Sequence, residues 1–281
     1  MKTNKNDNIH NKTRGLTRSS IDKFYTNDDA VKLCMKHVKQ HLQINEKDVI
    51  IEPGAGNGAF IEEIKSISRN YRFYDLIPEH IEVVQQDYLN LDTSDLKHLE
   101  VQVHIIGNPP FGRQSTNAIK FIQKSCEFAN SISFILPKSF KKDSMRNKFH
   151  KNFHLNFEID LPENSFTDEG KVTNVPCLFQ IWKKQTNERT LKEKIEPDGY
   201  IFVKKDDNPD ISFRRVGVYA GNVSKDINKS DKSHYFIRFT NGKDIAENIE
   251  NLKLNAFQRD NTVGPRSISK PELIMEFNRN L

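Results

Sequence analysis

The segment Asp48-Val49-Ile50-Ile51-Glu52-Pro53-Gly54-Ala55-Gly56-Asn57-Gly58 determines the fold that the sequence predicts. Its apolar, β-branched start is typical of a short buried strand. The glycine-rich turn follows at once, and apolar residues then recur at helical spacing over residues 60–67. A strand, a glycine-rich turn and a helix in this order bring the backbone close to a bound ligand. The GxGxG spacing differs from the GxGxxG of dinucleotide-binding proteins, and no Lys-Ser/Thr pair follows as it does in a P-loop.

Apolar runs that alternate with helical patterns continue along the chain. Residues 27–42 have a helical pattern with Asn27 as N-cap, residues 139–153 are predicted to form a basic helix, and residues 162–174 a loop. Such alternation is typical of a doubly wound α/β domain with a mostly parallel sheet, and we expect the last strand to pair antiparallel. The predicted strands, seven in number, are residues 48–52, 71–75, 81–84, 101–106, 132–136, 155–161 and 176–182.

Acidic side chains stand at the ends of the first three predicted strands. Glu52 ends the first strand, Asp75 ends the second, and Asp87 follows the third. Since parallel strands present their carboxyl ends at one edge of a sheet, we expect these carboxylates to lie near a common crevice. An acid at the end of the second strand can accept hydrogen bonds from both hydroxyls of a ribose. These positions therefore predict a nucleotide-like ligand at this edge.

The fourth predicted strand runs into the turn Ile105-Ile106-Gly107-Asn108-Pro109-Pro110-Phe111-Gly112. Proline fixes φ and has no N–H, so the chain must leave the sheet here in a stiff, extended turn. The turn offers two acceptors, the Asn108 amide oxygen and the Pro109 carbonyl, beside the flat face of Phe111. This combination suits a flat ring with an exocyclic NH2 group, such as adenine. The alternative is an ordinary turn at a strand end, because Asn-Pro is common in turns.

The overall composition is that of a polar globular protein. Of the residues, 36% are hydrophobic and 29% are charged. A length of 281 residues is enough for an α/β domain and a smaller appendage. No apolar run reaches the roughly 18 residues that a transmembrane helix needs, so we expect no membrane partner. The net charge of +5 and the pI near 8.9 are compatible with a polyanionic partner without requiring one.

The N-terminal residues 1–18 are rich in Asn, Lys and Thr and contain no apolar stretch. They are predicted to be a disordered basic arm rather than a secretory signal, which places the chain in the cytoplasm or the nucleus. Cys34, Cys126 and Cys177 are far apart and form no CxxC or Cys/His pattern, so we expect reduced thiols. Because the histidines are also scattered, we expect no metal site.

The composition changes at residues 183–194, which are charged and weakly apolar, and we place a domain boundary there. Beyond it, glycines separate short strand-like runs, and Pro271 opens a closing helix at residues 271–277. The predicted strands of this part are residues 200–203, 211–215, 216–219 and 235–239. The predicted units are therefore an arm at 1–18, an α/β domain at 19–186 and a small β-rich module at 195–281.

These motifs together resemble the class I S-adenosylmethionine-dependent methyltransferases. The resemblance rests on the segment 52–58, the acids Asp75 and Asp87, and the turn Asn108-Pro109-Pro110-Phe111. The Asn-Pro-Pro-Phe form is similar to that of enzymes that methylate a planar nitrogen, chiefly N6 of adenine. The order of the parts, with Tyr25-Thr26 first and a recognition module last, resembles the gamma-type adenine-N6 DNA methyltransferases. The resemblance covers roughly residues 24–182 and implies a Rossmann-like methyltransferase fold.

The resemblance also implies roles for individual residues. Phe111 and Phe166 would cover the two faces of a flipped adenine, although Phe166 could instead be a core residue, Asp75 a helix cap and Asp87 a turn acid. The implied catalytic residues are Asn108, Pro109, Pro110 and Phe111. The implied substrate contacts are Phe111, Phe166, Arg113, Lys138, Arg214 and Arg215. The implied S-adenosylmethionine site consists of Tyr25, Thr26, Glu52, Pro53, Gly54, Ala55, Gly56, Asp75, Leu76, Asp87, Tyr88 and Asn108.

Several substrate classes remain open at this point. The first hypothesis is N6-methylation of adenine in DNA, with the C-terminal module reading the sequence. The second is adenosine-N6 methylation of ribosomal, spliceosomal or cap-proximal RNA, since a single strand avoids the cost of flipping a base out of a duplex. A catalytically silent nucleic-acid-binding partner and a protein-glutamine methyltransferase are further alternatives. Cytosine-C5 methylation is disfavoured because the turn contains no nucleophilic Cys.

Overall fold

The computed structural model describes residues 24–98, 100–168, 170–191, 195–257 and 266–281. The predicted basic arm at residues 1–18 lies outside the described residues. Within them the elements are, in chain order, β1 (Tyr25–Thr26), α1 (Asp28–His41), β2 (Val49–Pro53), α2 (Ile61–Lys65), β3 (Asn70–Asp75), β4 (Val84–Gln85), β5 (Val103–Gly107), α3 (Thr116–Cys126), β6 (Ser131–Pro137), α4 (Asp143–Arg146), β7 (Phe153–Asp160), β8 (Phe166–Asp168), β9 (Lys171–Thr173), β10 (Cys177–Lys184), β11 (Tyr200–Val203), β12 (Ile211–Arg214), β13 (Val223–Ser224), β14 (His234–Phe239), α5 (Ile245–Leu252) and α6 (Lys270–Asn280).

A seven-stranded sheet in the order β4-β3-β2-β5-β6-β10-β7 forms the centre of the larger part. Strand β2 pairs in parallel with β3 and β5, and β5 pairs in parallel with β6. Strand β10 runs antiparallel to both β6 and β7. The central strands β2, β5 and β6 are buried along their whole length, which explains their nearly continuous apolar sequences. The prediction of a doubly wound, mostly parallel sheet with an antiparallel last strand is confirmed.

A predicted helix and a predicted strand of this part differ from the structure. The basic helix expected at residues 139–153 is a 3-10 turn at Lys138–Lys141 and the single turn of α4, separated by the extended residue Lys142. The strand expected at residues 81–84 is reduced to Val84–Gln85. Ile81 is 96% exposed, so its apolar side chain has no core to enter and does not continue a strand. In both places sequence periodicity alone was misleading.

The loop expected at residues 162–174 is a hairpin formed by β8 and β9. Strand β1 adds to it, with Tyr25 opposite Thr167 and Thr26 opposite Phe166. The backbone N–H of Asn27 donates to the Ser165 carbonyl at 3.0 Å and continues this contact into the cap of α1. A small three-stranded sheet therefore holds the segment before α1 in place.

The C-terminal part has its own sheet, in the order β11-β14-β12-β13, and its own cluster of buried apolar residues. Helix α6 is confirmed, and it begins with a capping box formed by Ser269 and Glu272. The strand predicted at residues 216–219 is a turn after a single bridge from Val216 to Ser267, and helix α5 was not predicted. The Lys142 ammonium donates to the Ser267 carbonyl at 3.0 Å and to Glu272 at 2.8 Å, which links the two parts.

A buried polar cluster of Asp48, His104 and Ser131 lies near the amino ends of β2, β5 and β6. His104 Nδ1 is 2.7 Å from the Ser131 hydroxyl, and His104 Nε2 is 3.5 Å from Asp48 Oδ2. Burial lowers the pKa of His104, although the neighbouring Asp48 carboxylate partly offsets this effect. The imidazole is therefore neutral in the folded chain near neutral pH.

Acidification should destabilise the fold through His104. Below about pH 6.5 an unfolded His binds a proton that the folded His104 resists, so stability is retained above this pH and lost as the pH falls through it. Urea unfolding between pH 8 and pH 5 should show a smaller loss for His104→Asn, whose amide can still bond Ser131. Identical pH profiles for the two proteins would contradict this assignment.

Candidate active site

A cavity of about 630 Å³ opens where β2, β3 and β5 end at their carboxyl edge. Its wall combines the segment before α1, the glycine-rich turn, the ends of β3 and β4, and the turn after β5. Most of the residues predicted from the sequence line this one cavity: Tyr25, Thr26, Glu52, Gly54, Ala55, Gly56, Asp75, Leu76, Asp87, Tyr88, Asn108, Pro109, Pro110, Phe111 and Arg113. Pro53, Phe166, Lys138, Arg214 and Arg215 do not line it.

The glycine-rich turn is held by the end of the neighbouring strand β3. The backbone N–H groups of Gly54 and Ala55 both donate to the Tyr74 carbonyl, at 2.8 and 2.9 Å. Gly56 donates to Asp75 Oδ2 at 2.9 Å, and its φ of +52° is in the left-handed region that favours glycine. A Cβ on Gly54 would lie 3.4 Å from the Pro110 ring. The glycine-rich turn and the proline turn therefore approach each other closely across the cavity.

Glu52 is a buried carboxyl group in the wall of the cavity. Its side chain is only 2% exposed, and its Oε2 atom has no hydrogen-bond partner among the described residues. A Cβ at Gly107 would lie 3.0 Å from Glu52 Cγ, so the absence of a side chain there makes room for the carboxyl group. Burial raises the pKa of Glu52 well above its usual value, and the negative charge of Asp75 adds to this effect. A cationic group in the cavity would supply the missing partner.

Asn108 has a fixed amide orientation. Its Nδ2 atom donates to the Phe24 carbonyl at 3.1 Å and to the Thr26 hydroxyl at 3.2 Å. Because a carbonyl can only accept, the amide nitrogen must lie on this side. The amide oxygen Oδ1 is shielded from solvent and has no partner among the described residues. A buried acceptor without a donor costs free energy, and a substrate N–H would relieve that cost.

Asp75 and Asp87 each have structural partners at the edge of the cavity. Asp75 accepts from the backbone N–H of Ile77 through Oδ1, in addition to Gly56 through Oδ2. Asp87 caps a 3-10 turn by accepting from the backbone N–H of Leu89 at 3.0 Å. Each carboxylate oxygen has lone pairs left for a ligand, so the structural and binding roles are compatible.

Leu76 and Tyr88, which are also predicted to contact the cofactor, contribute apolar surface to the cavity. Leu76 is 61% exposed at the rim of the cavity. Tyr88 is buried, and its hydroxyl lies 2.8 Å from the Ser125 hydroxyl, so that its polar end is satisfied within the core. Leu76 therefore offers an open apolar contact, and Tyr88 a fixed ring.

Phe24 is a cavity residue that the sequence reasoning missed. It lines the cavity, and its ring packs edge-on against Phe166, with 6.5 Å between ring centroids. Phe166 itself begins strand β8, which lies between β1 and β9 in the small sheet, and its side chain is fully buried in the core. Its position is that of the core residue considered as the alternative. Of these two rings, Phe24 is the one that lines the cavity. The only sequence signal was that Phe24 directly precedes Tyr25-Thr26.

The predicted basic contacts have different positions. Arg113 is exposed at the rim of the cavity. Lys138 is 3.5 Å from the Asp160 carboxylate. In the C-terminal part, Arg214 donates to the Val216 carbonyl, and Arg215 donates to the Lys232 carbonyl. Since these last three side chains have partners within the protein and lie outside the cavity, their contact with a substrate stays a prediction.

Neither a metal-ligand cluster nor a membrane-spanning helix is found among the described residues. No group of three or more His, Cys, Asp or Glu side chains there is arranged to hold a metal ion. None of the described helices is both long and apolar enough to cross a membrane.

Comparisons with known proteins identify similar folds only at low sequence identity. No protein-family profile matches the sequence, and no curated protein matches it. Among solved structures, a proposed RNA methyltransferase from Pyrococcus horikoshii is 15% identical, with a TM-score of 0.47 over 62% of this chain and 93% of its own. The modification subunit of a proposed type I restriction enzyme from Vibrio vulnificus is also 15% identical, with a TM-score of 0.43 over 58% and 44%.

A third similar structure was solved with a bound ligand. The N-methyltransferase NodS from Bradyrhizobium japonicum, in complex with S-adenosyl-L-homocysteine, is 10% identical and has a TM-score of 0.41. The match covers 56% of this chain and 86% of that one. At such low identities and TM-scores, the activity of this chain has to be inferred from its own cavity.

Proposed function

We propose that this chain transfers a methyl group from S-adenosylmethionine to the N6 amino group of adenine in DNA. The observation that carries this proposal is the Asn108 amide. Its nitrogen donates to Phe24 and Thr26, while its oxygen has no partner in the described part of the chain. An acceptor held in this way suits an exocyclic NH2 group. The Pro109 carbonyl, next in the same turn, would accept the second N–H.

The residues of the cavity fit the proposed cofactor. Glu52, with its unpartnered Oε2, would bind the ammonium group, and the glycine-rich turn would surround the methionine part. Asp75 would accept from the ribose hydroxyls, and Leu76 would pack on the adenine ring, with Asp87 near its amino group. When bound, S-adenosylmethionine supplies a methyl group already activated by a positively charged sulfur.

The chain's own residues would then align and activate the target nitrogen. The N6 lone pair of adenine is delocalised into the ring, so this nitrogen is a poor nucleophile. Accepting both N–H bonds, at Asn108 Oδ1 and at the Pro109 carbonyl, favours a pyramidal nitrogen whose lone pair can attack. The rigid Pro109-Pro110 turn holds both acceptors still, and Phe111 covers one face of the base. Alignment and preorganised acceptors thus supply much of the rate.

RNA is the second candidate substrate, because the described cavity would accept a single-stranded adenosine as readily as a flipped base. Labelled methyl transfer to duplex DNA, single-stranded DNA and total RNA, measured side by side, separates the two. Mass spectrometry should find N6-methyladenine in the accepted polymer. Methylated cytosine, or methylated glutamine in a protein, would contradict the proposed pocket.

Asp75→Ala should weaken S-adenosylhomocysteine binding by about 1–3 kcal/mol, or roughly 5- to 150-fold, the cost of leaving buried polar groups unpaired. Isothermal titration calorimetry measures this change. Asp95→Ala is the matched control, because Asp95 bonds Arg72 at the surface and does not line the cavity. Equal affinities for wild type and Asp75→Ala would remove Asp75 from the cofactor site.

A further inference from the structure

The segment Phe24-Tyr25-Thr26, here called the strap, is the element that orients the Asn108 amide. The Phe24 carbonyl and the Thr26 hydroxyl are the two groups that accept from Asn108 Nδ2. Strand β1 is only two residues long, and among the described strands it pairs with β8. A strand this short has few ladder hydrogen bonds, so side-chain contacts of the strap have a large part in holding it.

Glu79 connects the strap to the glycine-rich turn. Both of its carboxylate oxygens accept from the Tyr25 hydroxyl, at 2.9 and 2.7 Å. Its backbone N–H donates to the Gly56 carbonyl at 3.1 Å. On the same side, the Tyr25 ring lies 3.9 Å from the place where a Cβ of Gly56 would stand. Glu79, Tyr25 and Gly56 thus form one contact between the two sides of the cavity.

The Tyr25 hydroxyl is suited to remain a donor in this contact. Burial raises the pKa of Tyr25 to about 12, and the Glu79 carboxylate adds to this effect. The hydroxyl therefore keeps its proton near neutral pH. A hydrogen bond from a neutral donor to an ionised acceptor is stronger than one between two neutral groups.

We propose that Glu79 is a positioning residue for methyl transfer, acting through Tyr25 and the strap on the Asn108 amide. Glu79 holds Tyr25, Tyr25 holds the strap, and the strap keeps Asn108 Nδ2 occupied so that Oδ1 is presented to the substrate. This series of contacts runs from Asn108 to Glu79, and Glu79 in turn contacts the glycine-rich turn, where the cofactor would bind. The expected effect of Glu79 on methyl transfer rests on the proposed function. The contacts from Glu79 to Asn108 do not depend on it.

The first test measures hydrogen exchange at the Asn108 side chain by NMR, and it needs neither cofactor nor substrate. The NH2 signal of Asn108 is assigned by its absence in Asn108→Asp. We expect this NH2 to exchange at least about tenfold faster in Glu79→Ala and in Tyr25→Phe than in wild type. Glu82→Ala is the control, because Glu82 follows three residues later and pairs with Lys65 instead. Its exchange should match wild type.

The second test separates positioning from binding by kinetics. Glu79→Ala should lower kcat about tenfold and change KM for the nucleic acid and Kd for the cofactor less than about threefold. Glu79→Gln, whose amide oxygen can still accept from Tyr25, should recover most of the loss. The double variant Tyr25→Phe with Glu79→Ala should be no slower than Glu79→Ala alone, since both remove the same bond. Melting temperatures confirm that each variant is folded.

The outcomes are distinguishable. Unchanged exchange at Asn108 in Glu79→Ala would overturn the inference, whether or not the chain methylates nucleic acid. Faster exchange with a change only in cofactor Kd would also overturn it, because Glu79 would then serve the cofactor alone. A wild-type protein that transfers no methyl group to any polymer refutes the proposed function, while the exchange measurement still decides whether Glu79 orients Asn108.

Discussion

Asn108→Ala should reduce kcat for methyl transfer by about a hundredfold or more, while cofactor affinity stays within about threefold of wild type. The variant removes the acceptor that would contact the target nitrogen as its lone pair becomes available, which is a loss in the transition state. It also releases the Phe24 carbonyl and the Thr26 hydroxyl, which accept from Asn108 Nδ2. Methyl transfer at saturating substrate, together with calorimetry of cofactor binding, measures the two effects.

Two companion variants sharpen this test. Asn108→Asp keeps the size of the side chain but places an oxygen where Nδ2 donates to the Phe24 carbonyl, so it should be about as inactive as Asn108→Ala. Asn187→Ala is the control, because Asn187 is an exposed asparagine that does not line the cavity. Nearly wild-type turnover of Asn108→Ala would refute the proposed role of the amide.

Phe166→Ala should lower the free energy of unfolding by about 3–5 kcal/mol, the usual cost of removing a fully buried phenylalanine. Phe24→Ala should have a smaller effect on stability, because Phe24 is only half-buried. Its main effect should be weaker substrate binding, by about 1–3 kcal/mol if its ring stacks on the base. The two rings touch each other, so this pair compares a core position with a cavity position at nearly the same place.

Urea unfolding and KM for the nucleic acid should be measured on the same preparations. Phe111→Leu serves as a comparison. Phe111 lines the cavity in the proline turn but is only 6% exposed and packs in the core cluster, so this variant should lose stability as well as stacking. A large kinetic defect in Phe166→Leu with unchanged stability would restore the original sequence-based assignment of Phe166 as a stacking residue. A stable, kinetically normal Phe24→Ala would exclude Phe24 from that role.

The errors of the sequence reasoning share a physical cause. Residues 139–153 have helical periodicity, yet Lys142 is extended and the chain enters strand β7 at Phe153. The run at 216–219 contains apolar residues, but Val218 is 76% exposed. At 216–219 this apolar side chain is left uncovered, whereas Phe140, Phe149 and Phe153 are buried without a continuous helix. In both places tertiary packing overrode the local pattern.

What the sequence by itself determined was the seven-stranded α/β domain and the cavity at its carboxyl edge. Apolar runs, the glycines from Gly54 to Gly58 and the prolines after Asn108 are local signals, because each limits the backbone where it stands. Parallel strands then bring their ends together without further information. This is why Glu52, Asp75 and Asn108 could be assigned to one site before the structure was known.

Only the tertiary structure decided which atoms of that site are available to a ligand. The Asn108 amide is oriented by the strap, which lies more than 80 positions earlier in the chain, and the strap is held by Glu79 and by the hairpin that contains Phe166. Such contacts depend on the pairing of distant segments, and no local pattern of residues specifies a partner at that separation. That pairing explains why Asn108 Oδ1 has no hydrogen-bond partner among the described residues. It also explains why Phe24, and not Phe166, lines the cavity.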